Sequence, residues 1–176
     1  MRTDLFDFDL PAERIALRPV RPRDAARLLV VTGGEGQFAD RAVSDLPYLL
    51  RAGDVLVFND TRVIPAQLEG RRGDARIGVT LHKRFDLRRW QAFVRNAKRV
   101  REGDELDFAA GVKARAESRL DDGSLVIAFL GEEPVELLLE RAGQMPLPPY
   151  IAGKRATDAA DRQDYQTMFA REEGAV

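Results

Sequence analysis

The sequence contains no cysteine and a single histidine, His82. The lack of cysteine excludes a disulfide framework, thiolate metal ligands and cysteine nucleophiles. One histidine also excludes a multi-histidine zinc site built from this chain alone. We assign His82 no catalytic role, because it is a lone histidine in a predicted strand beside Lys83 and Arg84.

Long apolar runs are also absent. No stretch approaches the ~20 apolar residues that span a bilayer, and the first residues have no apolar signal-peptide core. The 176 residues are 44% hydrophobic and 32% charged, which excludes a disordered chain and suffices for one core or two small domains. We therefore expect a soluble, cytoplasmic protein that makes no contact with a membrane.

The net charge of −1 conceals two blocks of opposite sign. Residues 71–101 carry eleven Arg or Lys and two Asp, whereas residues 102–140 carry eleven acidic and three basic residues. A basic block of this kind can present a positive surface to nucleic acid. The alternative is an ordinary solvated surface in an arginine-rich protein, and the charge pattern does not choose between them.

Two apolar runs predict strands in the first third of the chain. Residues 27–31 form one run, and residues 55–58 form a β-branched run typical of a central strand. A short helix is predicted over residues 44–50. Polar residues 59–62 follow the second run directly, at the strand end where α/β folds commonly bind ligands.

From residue 63 the pattern changes to short strands separated by glycine turns, which predicts a small closed antiparallel barrel. The six strand candidates are residues 64–68, 76–83, 90–96, 105–108, 112–118 and 124–130. A helix from Pro134 to Gly143, an extended linker over 146–151 and an amphipathic helix over 161–171 follow. We therefore predict a mixed α/β domain (1–62 and 146–176) interrupted by an inserted β-barrel (63–145).

The densest polar cluster is Asn59, Asp60, Thr61 and Arg62. Its amide, carboxylate, hydroxyl and guanidinium could hold a ribose, a carboxylate or a phosphate. Alternatively, Asn59 and Asp60 form a turn with their own backbone while Arg62 pairs with an acid.

Three aromatic residues allow both a binding and a packing interpretation. Tyr150 follows three prolines that hold the chain extended, so its ring could face a base or a cation, or could cap the core. Tyr165 lies at core-packing spacing on the last predicted helix. Trp90 could stack on an unpaired base or belong to the barrel core.

Several motifs, in order, resemble the S-adenosylmethionine:tRNA ribosyltransferase-isomerase family. They are residues 7–11 (Asp-Phe-Asp-Leu-Pro), the Arg-Asp pair at 23–24 with 27–29, residues 57–66 (Val-Phe-Asn-Asp-Thr-Arg-Val-Ile-Pro-Ala), 145–151 (Met-Pro-Leu-Pro-Pro-Tyr-Ile), 164–167 (Asp-Tyr-Gln-Thr) and 174–176 (Gly-Ala-Val). Each motif is moderately specific, and their order and spacing agree along the whole chain.

The resemblance implies an enzyme of bacterial queuosine synthesis with a β-barrel inserted in an α/β domain. Such enzymes transfer and isomerise the ribosyl group of S-adenosylmethionine onto 7-aminomethyl-7-deazaguanine at the tRNA wobble position, giving epoxyqueuosine. S-adenosylmethionine is the cosubstrate, tRNA bearing the modified base is the partner, and no metal is expected.

Residue chemistry suggests a role for each candidate. We assign catalysis to Asp60, Arg62 and Tyr150, with the Asp60 carboxylate near the sulfonium or ribose. Cosubstrate binding is assigned to Asn59, Thr61, Arg23 and Tyr165. The tRNA backbone is expected to contact the basic strands through Lys83, Arg84, Arg95, Lys98 and Arg99.

The sequence departs from the family pattern in three ways. Gln144 stands where histidine usually precedes the 145–151 motif, and glutamine does not titrate near neutrality. Gly78 stands where glutamate is usual. Family members are about twice this length, so the chain resembles an N-terminal portion that lacks a C-terminal half. An alternative function is therefore a catalytically incomplete fragment that acts only as an RNA-binding module.

Overall fold

The computed structural model describes residues 2–33 and 36–175. The chain divides into two compact units, Met1–Phe58 and Asn59–Val176. Within the described ranges, no helix has the length and apolar character needed to cross a membrane.

The first unit is built around an antiparallel hairpin. Strand β1 (Arg27–Thr32) pairs with β2 (Gln37–Ala42), with Val31 opposite Phe38. The predicted strand over 27–31 is confirmed. None of the described residues of this unit is fully buried, so the hairpin does not enclose a core.

The short helix predicted over 44–50 is present as a 3₁₀ turn, Val43–Asp45, that continues into α1 (Leu46–Leu49). The Asp45 carboxylate stabilises its start by accepting the Ala42 N–H at 3.0 Å.

The predicted central strand over residues 55–58 is wrong. The segment has no strand assignment, and Val55 and Val57 are 85% and 91% exposed. An apolar, β-branched run becomes a strand where a neighbour supplies hydrogen bonds and cover. Among the described strands, none pairs with this run.

The second unit contains the predicted closed barrel and a separate pair of strands. The pair is β3 (Thr61–Val63) and β10 (Glu172–Ala175), which run parallel. The six barrel strands are β4 (Gln67–Arg72), β5 (Ala75–Arg84), β6 (Arg89–Arg95), β7 (Glu105–Phe108), β8 (Lys113–Arg119) and β9 (Leu125–Phe129). Their spatial order is β4-β5-β6-β9-β8-β7, and β7 returns to β4.

The barrel closes at a point where the backbones of β4 and β7 approach closely. Gly70 faces Phe108, and a Cβ added at Gly70 would lie 2.5 Å from both the Asp107 carbonyl oxygen and the Phe108 ring. Glycine therefore permits the contact that closes the sheet.

Alternation along the strands builds the barrel core. On β8, Ala114 and Ala116 are buried whereas Lys113 and Arg115 are exposed. Helix α2 (Val135–Ala142) follows Pro134 as predicted and contributes an apolar face to the same core. That face consists of Val135, Leu138, Leu139 and Ala142.

The end of the chain contains short helices in place of the long predicted one. Residues 146–148 are in neither helix nor strand and lead into α3 (Pro149–Ala152), so the extended linker predicted over 146–151 is wrong from Pro149 onward. Helix α4 spans only Asp161–Asp164. The predicted helix over 161–171 is wrong beyond Asp164, because the next residues bond to a distant segment.

Candidate functional site

The polar segment 59–63 is held by strand β10. The Asp60 carbonyl oxygen accepts the backbone N–H groups of Arg171 at 2.6 Å and Glu172 at 3.1 Å. Parallel pairing then continues with Thr61 opposite Glu172 and Arg62 opposite Glu173. Residues 61–63 of the motif at 57–66 therefore lie beside residues 172–175. Residue 176, the last of the motif at 174–176, lies outside the described residues.

The motif at 164–167 fixes the same segment through side chains. Gln166 accepts the Val63 N–H through Oε1 at 2.8 Å and donates from Nε2 to the Val63 carbonyl at 2.9 Å. The Thr167 hydroxyl donates to the Asn59 carbonyl at 3.0 Å. A glutamine amide carries the same donor and acceptor pair as a peptide group, so Gln166 acts here as an additional strand residue. Our sequence interpretation missed this role, and its one signal was the glutamine inside the motif.

The turn interpretation applies to Asn59, whose Oδ1 accepts the Thr61 N–H at 2.9 Å. The Asp60 carboxylate has no hydrogen bond or ion pair with any described residue. It is exposed, while Thr61 is half-buried. The main chain of the segment is thus held by several hydrogen bonds, and the Asp60 carboxylate is left available.

A cavity of about 440 Å³ adjoins this segment within the second unit. It is formed where β3 and β10 meet strands β5 and β6 and helix α2. The lining residues are Arg62, Val63, Ile64, Pro65, His82, Arg84, Trp90, Glu136, Leu137, Leu139, Glu140 and Gly174. Of the predicted catalytic residues, Arg62 lines the cavity.

Charges of both signs lie on the cavity wall. Arg84 pairs with Glu136 at 2.8 Å and lies 5.8 Å from the centre of the Trp90 ring. Glu140 is bound by Arg162. An arginine and two carboxylates on one wall can accommodate a zwitterion, whose carboxylate and ammonium need opposite partners.

Trp90 belongs to the barrel core and is 6% exposed, so the packing interpretation is confirmed and stacking on an unpaired base is wrong. Its indole Nε1 has no hydrogen-bond partner among the described atoms. The half-exposed aromatic ring of the same strand is Phe93, which lies 5.1 Å from the ring of His82.

Tyr150 and Tyr165 are brought near one another by the loop that joins α3 to α4. Tyr150 is exposed, whereas Tyr165 is half-buried. Burial raises the pKa of the Tyr165 phenol, and the neighbouring Tyr150 phenol raises it further. The Tyr165 hydroxyl is therefore protonated at neutral pH and can donate a hydrogen bond.

The loop itself is fixed by a buried carboxylate. Asp161 is 1% exposed and accepts two hydrogen bonds from the Arg155 guanidinium, at 2.9 and 2.5 Å. It also accepts the Asp158 N–H at 2.8 Å. The Asp161 carboxylate raises the pKa of Arg155.

Neither departure from the family pattern lies on the cavity wall. Gln144 is exposed and exchanges two backbone hydrogen bonds with Gln67, at 3.1 and 2.7 Å. Gly78 lies on β5 under the Arg95 guanidinium, which an added Cβ would meet at 3.2 Å.

Arg23 lies on the 3₁₀ turn Arg23–Ala25 of the first unit and is exposed. The five predicted tRNA-contacting cations fall into two groups. Arg84 and Arg95 are paired with carboxylates, Glu136 at 2.8 Å and Glu69 at 2.7 Å. In the part of the chain that the structure describes, the exposed cations Lys83, Lys98 and Arg99 make no ion pair.

The described residues contain no group of three or more side chains suited to hold a metal ion. The cavity has one imidazole and two carboxylates on its wall, and each of those carboxylates is engaged by arginine.

Comparison with known proteins gives a consistent result. Residues 3–176 match the family described as Queuosine biosynthesis protein. Curated proteins named S-adenosylmethionine:tRNA ribosyltransferase-isomerase align with all 176 residues, at 75% identity in Rhizorhabdus wittichii, 74% in Novosphingobium aromaticivorans and 63% in Zymomonas mobilis. Each alignment covers 100% of this chain and 51% of the relative, so the chain spans about half their length.

A crystal structure described as S-adenosylmethionine tRNA ribosyltransferase from Thermotoga maritima is 37% identical. The superposition covers 70% of this chain and 44% of that one, with a TM-score of 0.36. The family match extends over all the motifs that surround the cavity and segment 59–63. The chain therefore belongs to the queuosine biosynthesis protein family.

Proposed function

We propose that this chain carries part of an enzyme that transfers and isomerises the ribosyl group of S-adenosylmethionine. The acceptor is 7-aminomethyl-7-deazaguanine at the tRNA wobble position, and the product is epoxyqueuosine, with adenine and methionine released. One observation carries the proposal: segment 59–63 is hydrogen-bonded to Gln166 and to residues 171–172, and it pairs with β10, beside a cavity that Arg62 lines.

The reaction needs a base, because the sulfonium acidifies the ribose carbon beside it. Asp60 is our candidate, since its main chain is fixed by β10 while its carboxylate makes no ion pair with described residues. The acceptor amine must be neutral to attack, and charge on the departing adenine must be stabilised. We assign Arg62 and Tyr150 to charge stabilisation and positioning.

The cosubstrate ends in a zwitterionic amino acid. The Arg84–Glu136 pair on the cavity wall offers one partner for its carboxylate and one for its ammonium. We propose that this end of S-adenosylmethionine enters the cavity, while Asn59, Thr61 and Tyr165 contact the remainder. Arg23, in the first unit, stays a predicted cosubstrate ligand. No metal takes part in the proposed reaction.

We further propose that residues 1–62 and 146–176 belong to one α/β domain, interrupted by the barrel at 63–145. The parallel pairing of β3 with β10, both in the second unit, supports the interruption itself, because it joins the strands that precede and follow the barrel. The relatives' length supports a C-terminal half that supplies further active-site residues. We expect the complete enzyme to act in the cytoplasm.

The nucleic-acid partner in this proposal is tRNA bearing the 7-aminomethyl base. Its backbone would contact the basic block through Lys83, Arg95, Lys98 and Arg99. Arg84, the fifth cation of the sequence prediction, lines the cavity and is assigned to the cosubstrate instead. The RNA-binding module without activity is the less favoured function, because the chain keeps the motifs around the cavity as well as the basic surface.

The test is adenine release from labelled S-adenosylmethionine with tRNA carrying the 7-aminomethyl base. The chain is assayed alone and with the C-terminal half of one of the long relatives supplied in trans. Release that depends on the modified tRNA in either assay supports the proposal. A folded chain that binds tRNA but releases no adenine in both assays would contradict it.

Asp60→Asn tests the assigned base. We expect a loss of turnover of at least about 100-fold, with tRNA affinity unchanged, because the substitution keeps the shape and removes the base. Asp121→Asn is the matched control, since this exposed carboxylate lies in the turn between β8 and β9. Near-normal turnover in the Asp60 variant would remove it from the mechanism.

A further inference from the structure

The segment 96–101, here called the cationic loop, has a fixed backbone. Asn96 adopts a left-handed conformation (φ 64°) and donates from Nδ2 to the Arg76 carbonyl at 3.1 Å. The 3₁₀ turn that follows is closed by the Arg99 N–H to the Asn96 carbonyl at 2.9 Å and the Val100 N–H to the Ala97 carbonyl at 3.1 Å. The loop therefore needs little ordering when a ligand binds.

Arg119 supports the cationic loop from a neighbouring strand. Arg119 on β8 donates to the Ala97 carbonyl at 2.9 Å and the Val100 carbonyl at 3.3 Å. The Val100 side chain is buried in the barrel core. The Arg101 N–H donates to the Asp104 carboxylate at 2.7 Å. Both ends of the loop are thus anchored, and its charged side chains point to solvent.

Four cations line one depression of about 340 Å³ beside the loop: Arg72, Lys98, Arg99 and Arg101. The nearby carboxylate, Asp104, accepts two hydrogen bonds from Arg72, at 2.9 and 3.0 Å. That contact with Arg72 lowers the pKa of Asp104. Within the described ranges, the side chains of Lys98, Arg99 and Arg101 make no ion pair, so the depression carries a net positive charge.

The neighbouring β4–β5 hairpin adds two further positive charges next to each other. Arg71 on β4 and Arg76 on β5 lie directly opposite one another, and both are exposed. Opposed like charges destabilise an antiparallel pair. On its other side Arg71 lies opposite Asp107 of β7, whose carboxylate pairs with Lys113 at 3.0 Å. By contrast, two exposed cations of strand β8 are neutralised, in the Lys113–Asp107 pair at 3.0 Å and the Arg115–Glu105 pair at 3.1 Å.

We propose that the cationic loop and Arg72 form a binding site for adjacent phosphates of a structured RNA backbone. The inference rests on the proposed function, in which RNA is the substrate, and it specifies which residues bind the phosphodiester backbone. Guanidinium groups match phosphate oxygens in pairs, and a preformed cationic depression favours a polyanion over a neutral ligand. The site reads phosphate and no base sequence.

The test compares two triple variants that remove the same charge. The loop variant removes all three positive charges of the cationic loop and combines Lys98→Ala, Arg99→Ala and Arg101→Ala. Lys113→Ala, Arg115→Ala, Arg141→Ala is the control, because these three exposed cations are already paired with Asp107, Glu105 and Glu133. Affinity for an unmodified anticodon stem-loop RNA is measured by fluorescence anisotropy across salt concentrations.

We expect the loop variant to bind the RNA at least about tenfold more weakly at 150 mM salt, with the slope of log affinity against log salt reduced by about 2. The control should change affinity by less than about threefold. Equal losses in both variants, or an unchanged salt slope in the loop variant, would overturn the site. So would a loss of binding to vesicles containing phosphatidylglycerol with RNA affinity unchanged.

A charge-preserving variant distinguishes paired hydrogen bonds to phosphate from attraction by net charge alone. Arg99→Lys, Arg101→Lys should keep the salt slope but lose affinity several-fold, because lysine cannot make the paired hydrogen bonds. Full retention of affinity would contradict the paired contacts.

The two proposals fail in different assays. RNA binding is measured without S-adenosylmethionine, so the loop site stands or falls regardless of adenine release. A loop variant with wild-type RNA affinity, in a system that releases adenine, overturns the site alone. Absence of adenine release with loop-dependent RNA binding overturns the enzymatic proposal alone.

Discussion

The barrel and the first unit differ in what their apolar side chains contact. In the barrel, Leu68, Ile77 and Ile127 are completely buried, because each strand has a neighbour on both sides. In the first unit, Leu29 and Val31 on one face of the hairpin are 59% and 64% exposed. The strands of both regions carry apolar side chains, but the degrees of burial are opposite.

The difference shows that an apolar run becomes part of a core only where strands that pair with it lie close to it in the chain. The barrel's six strands lie within 67–129 and supply one another's hydrogen bonds and cover. The β1–β2 hairpin has two strands, and two strands alone have marginal stability in water. Stability of the chain should therefore reside mainly in the barrel.

The largest expected effect tests that statement directly. Ile127→Ala should lower the free energy of unfolding by about 3–4 kcal/mol, because it leaves a cavity in the closed core. The matched truncation in the first unit, Val57→Ala, should change it by less than about 0.5 kcal/mol, since Val57 is exposed. Urea denaturation followed by circular dichroism measures both. Similar losses for the two variants would erase the proposed contrast.

The same contrast explains which structural predictions from sequence succeed. Barrel strands were predictable because glycine turns and period-two alternation are local signals, and β4, β5 and β6 pair in chain order. The helix after Pro134 has an equally local signal. The strand at 55–58 was mispredicted because its burial depends on a partner that no local pattern reveals.

The candidate site was predicted only in part for the same reason. Arg62 could be identified within its motif, but its place on a cavity wall depends on β10 and α2. Gln166 contacts Val63, which lies 103 residues earlier in the chain. A local sequence pattern does not predict a contact over that separation. Likewise, the carboxylates that pair with Arg84 and Arg95 lie on other elements.

A smaller effect is expected where the second unit relies on such a long-range contact. Gln166→Ala removes both hydrogen bonds to Val63 and leaves its half-buried backbone groups unpaired, which should cost about 2 kcal/mol. The Val63 amide should then exchange with solvent much faster, as measured by hydrogen exchange. Gln163→Ala, at an exposed position on α4, is the control. An unchanged Val63 exchange rate would mean that β10 alone holds the segment.

The smallest expected effect concerns the turn between β5 and β6. The Arg88 N–H, the Arg89 side chain and the Arg89 N–H all donate to Asp86, at 2.8, 2.6 and 2.8 Å, and they lower its pKa to about 2. A lowered carboxyl pKa stabilises the folded state above the ordinary value of about 3.9, and the contribution is lost as pH falls through about 2.

This turn should consequently remain ordered at pH 3. Titration of the Asp86 carboxyl carbon by NMR should give a midpoint near 2, and Arg89→Ala should raise it because a donor and a positive charge are removed. In the first unit, the turn at Asp54 has one such hydrogen bond, from the Arg51 N–H at 2.8 Å. At pH 3 we therefore expect slower amide exchange at Arg88 and Arg89 than at Arg51. The reverse order would show that local turn chemistry is no stronger in the barrel than in the first unit.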